Sequence, residues 1–252
     1  MGEIINDLSE HNRTSFKNAK PFNHVVIDNF FKDSVASKIA AEFPMHNDPV
    51  WTVSYDNPLE VKKACSHWDK FPKSIYEAMY YLCSKEFVAS IEHIVGRPQV
   101  HADYGMHGGG MHSHSQNGKL NIHKDYSLHP KIPYQRNYNL IVYMSPEWDS
   151  SWGGGLEFWS HDSETNLPKE CITTVENKFN RAVIFDTTQN SWHGLPVEIR
   201  CPEETSRRSL AIYYLTDVDN RSEQRQRALY APYGDQKNNS EIVEFCKKRS
   251  SL

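Results

Sequence analysis

The spacing of apolar residues changes character once along the chain. Up to about residue 98 they recur at helical intervals; beyond it they gather into short runs between turn residues. The first 20 residues form a polar lead-in. Val25-Val26-Ile27 predicts a short strand, ended by Asp28-Asn29. Asp33 or Ser34 is placed to cap a helix with Val35, Ile39, Ala40 and Phe43 on or near one face. Pro44 biases Phe43 out of the α region, so that helix ends there or just before. Residues 46–72, rich in Trp, Pro, Asp and Asn, predict a loop. From Ser74 to about Ile94 the positions Ile75, Met79, Leu82, Phe87 and Ile91 run roughly in helical phase, and Gly96-Arg97-Pro98 ends the element.

Strand-like runs then follow at 99–104, 119–125, 137–144, 155–159, 180–185, 194–199 and 208–216. This rhythm predicts a sandwich or barrel, not alternating strands and helices. From Ser222 the chain is polar, and Ile242, Val243 and Phe245 predict one short helix over Glu241 to Lys248. The expectation is a mainly β fold with supporting helices, all one domain: a support region at 1–98, a β core at 99–216 and a tail at 217–252.

Composition narrows the class. With 252 residues, 38% hydrophobic and 24% charged, the chain can bury a core and is not broadly disordered. The longest apolar stretches, such as Leu140–Met144 and Leu210–Leu215, fall far short of the roughly 18 residues of a membrane span. The N-terminal segment has no apolar run of the secretory kind, which makes a cytoplasmic location the expectation and a membrane partner not. Five cysteines without a CxxC pair fit free thiols better than a disulfide framework. A net charge of −4 argues against a phosphate-backbone binder, so no nucleic-acid partner is expected. The 13 histidines are uneven: His101, His107, His112, His114, His123 and His129 cluster, which raises the case for a metal site.

Three elements carry chemistry. In Leu120-Asn121-Ile122-His123-Lys124-Asp125-Tyr126, strand alternation points His123 and Asp125 to one face, about 7 Å apart at Cα. His193, in Asn190-Ser191-Trp192-His193-Gly194, can supply a third ligand from a facing strand. Together they would make the 2-His-1-carboxylate face, with open positions, of non-haem Fe(II) oxygenases. In Ser206-Arg207-Arg208-Ser209-Leu210-Ala211-Ile212-Tyr213-Tyr214, alternation groups Arg207 with Ser209, Ala211 and Tyr213, and Arg208 with the opposite face. An arginine aimed into an apolar barrel is costly unless it meets an anion, and a carboxylate is the natural partner.

The order HxD, His, then Arg before a strand resembles the Fe(II)/2-oxoglutarate-dependent oxygenases, in their prolyl-4-hydroxylase-like branch, over about residues 99–216. Tyr143-Met144-Ser145-Pro146-Glu147-Trp148, Gly154-Gly155-Leu156 and Asn177 to Phe185 look like further segments of that family. The resemblance implies a double-stranded β-helix (jelly-roll, cupin-like) core, with Fe(II), 2-oxoglutarate and O2 as cofactor and cosubstrates and ascorbate as a candidate accessory. It implies His123, Asp125 and His193 as iron ligands and the catalytic centre. Arg207 and Tyr143 would hold the distal carboxylate of 2-oxoglutarate, with Ser209 as an added hydroxyl donor. His114 stands where the family usually has a tyrosine lining the cosubstrate pocket, so its role is open between cosubstrate contact, substrate contact and spectator. A carboxylate at Asp125, where related halogenases have a small residue, favours hydroxylation.

Two rivals remain: a cupin-type metalloenzyme built on His112-Ser113-His114, although no glutamate follows by Leu120, and a non-catalytic jelly-roll binding protein. The substrate is a small molecule or a peptide, with a peptidyl or free amino acid among the candidates. Trp51, Tyr55 and Trp68 make segment 46–72 a candidate cover for the mouth, and Glu157 is a candidate for facing the cavity. Oligomeric state is not legible.

Overall fold

Alternation decides the architecture. On the strand from Arg207, Leu210, Ile212 and Tyr214 are buried against helices, while Arg207, Ser209, Ala211 and Tyr213 line a cavity on the other side. The computed structural model describes residues 4–219 and 223–251. In chain order the elements are α1 (Glu10–Asn18), β1 (His24–Ile27), α2 (Asp33–Glu42), β2 (Val53–Asn57), β3 (Glu60–Cys65), α3 (Lys73–Leu82), α4 (Lys85–Val95), β4 (His101–Ala102), β5 (Gly110–His114), β6 (Lys119–Lys124), β7 (Tyr134–Tyr143), β8 (Leu156–Asp162), β9 (Leu167–Val175), β10 (Ala182–Asp186), β11 (Trp192–Leu195), β12 (Arg207–Asp217), β13 (Leu229–Tyr230) and α5 (Ser240–Ser251). Every named strand pairs antiparallel.

One layer runs β1-β10-β7-β12-β5 and the other β6-β11-β8-β9, the two walls of a double-stranded β-helix. The helices cover the outer face of the first wall. There Ile39, Ile75, Met79, Leu82, Phe87, Ile91 and Ile94 meet Leu140, Val142, Ile184, Leu210 and Ile212 in one core. Each such side chain, fully buried, contributes about 1.5–3 kcal/mol. Among the described residues no helix is long and apolar enough to cross a membrane.

The structure departs from the sequence expectation in the first 98 residues. Segment 46–72 is not a loop: β2 and β3 form a hairpin, turned where the Asn57 side chain accepts from the Leu59 and Glu60 amides at 3.0 and 3.2 Å. β3 then pairs with β5 through Lys63–Cys65 and with β6 through Glu60–Val61, joining the two walls. Trp51 and Trp68 pack on the helical core, and only Tyr55 of the three aromatics reaches the cavity. The polar lead-in contains α1, which buries a single side chain, Phe16. The helix over 74–94 is two, because Ser84 Oγ accepts from the Phe87 amide and starts α4 anew. α2 has Lys32, not Asp33 or Ser34, at its cap position, with no side-chain cap bond. β5 and β9 carry too little apolar alternation to read, one being glycine-led and the other largely exposed.

Candidate active site

His123 is the penultimate residue of β6 and Asp125 lies just beyond its end, while β11 lies alongside with His193 directly opposite His123. Three side chains from two strands therefore meet. One ligand atom of each lies within 4.8 Å of the others, and all three residues are buried. Asp125 Oδ1 is 3.5 Å from His123 Nε2 and Oδ2 is 3.8 Å from His193 Nε2. Each histidine's Nδ1 sits on a backbone carbonyl, His123 on Asn121 at 2.9 Å and His193 on Ser191 at 2.8 Å. A carbonyl can only accept, so Nδ1 carries the proton and Nε2 presents its lone pair to the shared space. Burial, followed by the neighbouring His123, lowers the His193 pKa to about 4, which keeps it neutral near pH 7. Burial alone would raise Asp125. The contact with His123 and the charge of Arg136 overcome it and hold the carboxyl ionised, well below its usual range. Two imidazoles with Nε2 forward and one carboxylate, all buried, form a donor set suited to a divalent metal of the Fe(II) type.

The three side chains open into a cavity of about 980 Å³. Arg207, Ser209 and His114 line it. Arg207 is 2% exposed; its Nε donates to the Gly154 carbonyl at 2.7 Å and its Nη1 to Ser209 Oγ at 3.5 Å. Among the described residues it has no carboxylate within ion-pair distance. Burial lowers its pKa from the usual arginine value. The guanidinium carbon lies 4.8 Å from the centroid of the Tyr143 ring, whose buried hydroxyl has no hydrogen-bond partner. His114 is paired with Arg207 across β5 and β12, and among the described residues neither of its ring nitrogens has a partner. Burial, then the charge of Arg207, holds His114 well below the usual histidine range. His112, opposite Ser209, lines the same cavity and is lowered to about 3, chiefly by burial.

Glu157 does not face the cavity. On β8 the lining residue is Leu156, and Glu157 instead accepts from Trp159 Nε1 at 2.8 Å, so the expected phase was off by one. Sequence reasoning also missed several contributors. Tyr230 of β13, from the stretch read as a polar tail, stacks on His123 with centroids 5.3 Å apart. Arg225 donates from Nε and Nη2 to the Asp125 carbonyl. Arg136 also lines the cavity, with its guanidinium between the rings of Tyr126 and Tyr213. The Tyr213 hydroxyl donates to Asp125 Oδ2 at 2.8 Å. The signal for Arg136 was the one used for Arg207, an arginine at the head of an apolar strand; the strand read as 137–144 begins just after it.

With this geometry in view, the family model that matches is the 2OG-Fe(II) oxygenase superfamily, over residues 109–215. That stretch of the chain carries the superfamily's pattern. The matched stretch runs from β5 to β12 and holds the His/Asp/His cluster and Arg207. Fe(II) and 2-oxoglutarate are the superfamily's cofactor and cosubstrate. No curated protein sequence is significantly similar to the chain. Among solved structures, a Trichoplax adhaerens prolyl hydroxylase in complex with a hypoxia-inducible-factor peptide fragment aligns with TM-score 0.53 and 16% identity, covering 81% of this chain and 90% of that one. A Pseudomonas putida prolyl-4-hydroxylase gives 0.54 and 11%, covering 82% and 100%. HygX from Streptomyces hygroscopicus, with nickel, 2-oxoglutarate and hygromycin B bound, gives 0.53 and 12%, covering 83% and 88%. These likenesses establish the jelly-roll fold.

Proposed function

We propose that this oxygenase is a hydroxylase: it couples 2-oxoglutarate decarboxylation to hydroxylation of a C–H bond in a small molecule or in a peptidyl or free amino acid. His123, Asp125 and His193 are the iron ligands. Arg207, with Ser209, Tyr143 and His114 beside it, receives the cosubstrate. The observation that carries this reading is one cavity holding both a metal-type donor set and, on the facing wall, a buried arginine without an acid.

Bound Fe(II) would supply the site at which O2 and 2-oxoglutarate react to give succinate and CO2 and to oxidise the substrate. The chain's own residues do the rest. The Asn121 and Ser191 carbonyls fix the two imidazole rings with Nε2 forward. Tyr213 holds the second carboxylate oxygen of Asp125 and so sets its orientation. Arg207 neutralises the distal carboxylate of 2-oxoglutarate and, through Gly154, is held against the sheet. The unpartnered Tyr143 hydroxyl and His114 ring nitrogens would find in that carboxylate the partner each lacks. Walls of Ile141, Leu156 and Ala211 exclude water from the reacting centre.

We assign catalysis to residues 99–216 and support to 1–98 and 217–252, all in one domain. Five unpaired cysteines suit a cytoplasmic setting. The test is iron-dependent succinate formation from 2-oxoglutarate, with iron affinity measured separately by tryptophan quenching. His123→Ala and Asp125→Ala should abolish turnover and weaken iron binding; full turnover in both variants would refute the ligand assignment.

A further inference from the structure

Arg136 is 1% exposed, yet among the described residues no acid lies within ion-pair distance of it. A local irregularity aims it inward. Along β7 and β12, Tyr214 faces Tyr138 and Leu215 faces Arg136, so Asn137 is an extra residue on its strand. The bulge shifts the phase, and Arg136 joins Asn139 and Ile141 on the cavity side where Asn137 would otherwise stand. Its Nε and Nη1 have no hydrogen-bond partner, and neither has Asn139 Oδ1 next to it on the same wall.

Among the described residues five cations line the cavity, Lys62, Arg136, Arg207, Arg227 and Arg249, and of these Arg227 is exposed to solvent. Lys62 and Arg249 share Glu60, at 3.6 and 2.6 Å. Arg207 belongs to 2-oxoglutarate under the reading above. Arg136 is left over. The two acids whose charges reach it make their close contacts elsewhere: Asp103 to the Gly105 and His107 amides at 2.9 and 3.0 Å and to His129 at 3.4 Å, and Asp125 to Tyr213 and the two histidines. Among the described residues the guanidinium has aromatic faces against it and no acid in ion-pair contact, and so lacks the direct counter-charge that normally accompanies burial.

We infer that Arg136 is the seat for a carboxylate on the primary substrate, so that this oxygenase acts on small carboxylic acids or on residues bearing a free carboxylate. The inference rests on the oxygenase reading and deepens it. The shape of the seat selects the anion. The guanidinium carbon is 3.8 Å from the Tyr126 centroid and 3.3 Å from that of Tyr213, so both faces are covered and only the edge remains. A planar carboxylate meets that edge in plane, with two parallel bonds. A tetrahedral phosphate would thrust oxygens above and below the plane, into the rings. Gly108, which also lines the cavity, leaves the corner open: a Cβ there would stand 2.9 Å from Arg136 Nη2. Tyr213 covers Arg136 and bonds Asp125 at once, so a group seated on Arg136 is one side chain from the candidate iron ligands.

The experiment compares matched pairs on the iron-loaded enzyme. Short-chain carboxylic acids, α-amino acids and short peptides with free C-termini are each run beside the primary amide of the same carboxyl group. The readout is stimulation of succinate formation, and the peptide arm separates a free small acid from a chain terminus. At least one acid should outperform its amide by about 10-fold or more, the worth of a charge-assisted bidentate pair. Arg136→Gln should erase that preference, and Arg136→Lys, which keeps the charge but loses the planar fork, should retain it with weaker binding. Binding of the stimulating acid to the metal-free protein, followed by ligand-observed NMR, should weaken in Arg136→Gln by a similar factor. Equal stimulation by acid and amide, or a preference that survives Arg136→Gln, overturns the inference alone, because a merely structural pillar would lower both members of a pair together. Absence of any iron-dependent decarboxylation of 2-oxoglutarate overturns the oxygenase reading and takes this inference with it.

Discussion

Replacing Arg207 separates binding from stability in a way that few buried charges allow. The guanidinium is closed to solvent and has no acid beside it, so the free protein carries its desolvation cost without a counter-charge. Arg207→Met keeps the volume and removes that cost, while leaving the Gly154 carbonyl without its donor at a loss of about 1–3 kcal/mol. The two terms oppose each other, and the melting temperature should move by only a few degrees. Cosubstrate binding has no such compensation. The distal carboxylate of 2-oxoglutarate would enter the same pocket unpaired, a loss of about 2–5 kcal/mol, which is about 30- to 4,000-fold in affinity. The assay is succinate formation against 2-oxoglutarate concentration, with iron affinity followed in parallel and expected to hold. Arg208→Ala is the control. Its guanidinium sits on the helical side, 5.9 Å from the Phe43 ring and 3.3 Å from Met45 Sδ, so its removal should leave the 2-oxoglutarate KM near the parent value. A low-melting Arg207→Met with an unchanged KM would make Arg207 a pillar of the fold. A crippling Arg208→Ala beside a silent Arg207→Ala would mean the inward face had been assigned to the wrong residue of the pair.

Acid should weaken the fold. Burial holds His112 and His193 at about 3 and about 4 in the native state against an ordinary 6.5, so below pH 6.5 the unfolded chain binds more protons and stability falls as pH drops toward 4; melting curves across that window check it, and His112→Gln should flatten the slope. Ile212→Ala, at a position 1% exposed between β12 and the helices, should cost about 2–5 kcal/mol in a denaturant titration. Gly110→Ala would bring a Cβ within 2.1 Å of the Cys65 carbonyl and should prevent β3 from pairing with β5, which limited proteolysis of the hairpin would register; Gly153→Ala, also at positive φ but with nothing within 4 Å, should cost about 1–3 kcal/mol of backbone strain alone.

The legible and illegible parts of this molecule divide by the range of the interaction. β12 could be read because alternation is local: Leu210, Ile212 and Tyr214 on one side against Arg207, Ser209, Ala211 and Tyr213 on the other, as the structure has it. HxD was legible for the same reason, and the join to His193 came from family likeness more than from spacing. The β2–β3 hairpin was not legible. Its strands are held by pairing to β5 and β6, which lie some 50 residues further along the chain, and local composition carries no trace of that. The same holds for Tyr230, brought over His123 by a two-residue strand in a stretch with little apolar pattern. Arg136 is the instructive case, because alternation does not merely fail there but gives the wrong residue. Counting back from Tyr143 by twos arrives at Asn137, and only the pairing of Leu215 with Arg136 shows that one residue was skipped. A one-residue bulge thus replaces a neutral amide in the cavity wall with a cation, one side chain, Tyr213, away from the candidate iron ligand Asp125. That exchange alters the sign of the charge the cavity can accept, which is why the matched acid and amide comparison tests the pairing register of β7 as directly as it tests the substrate.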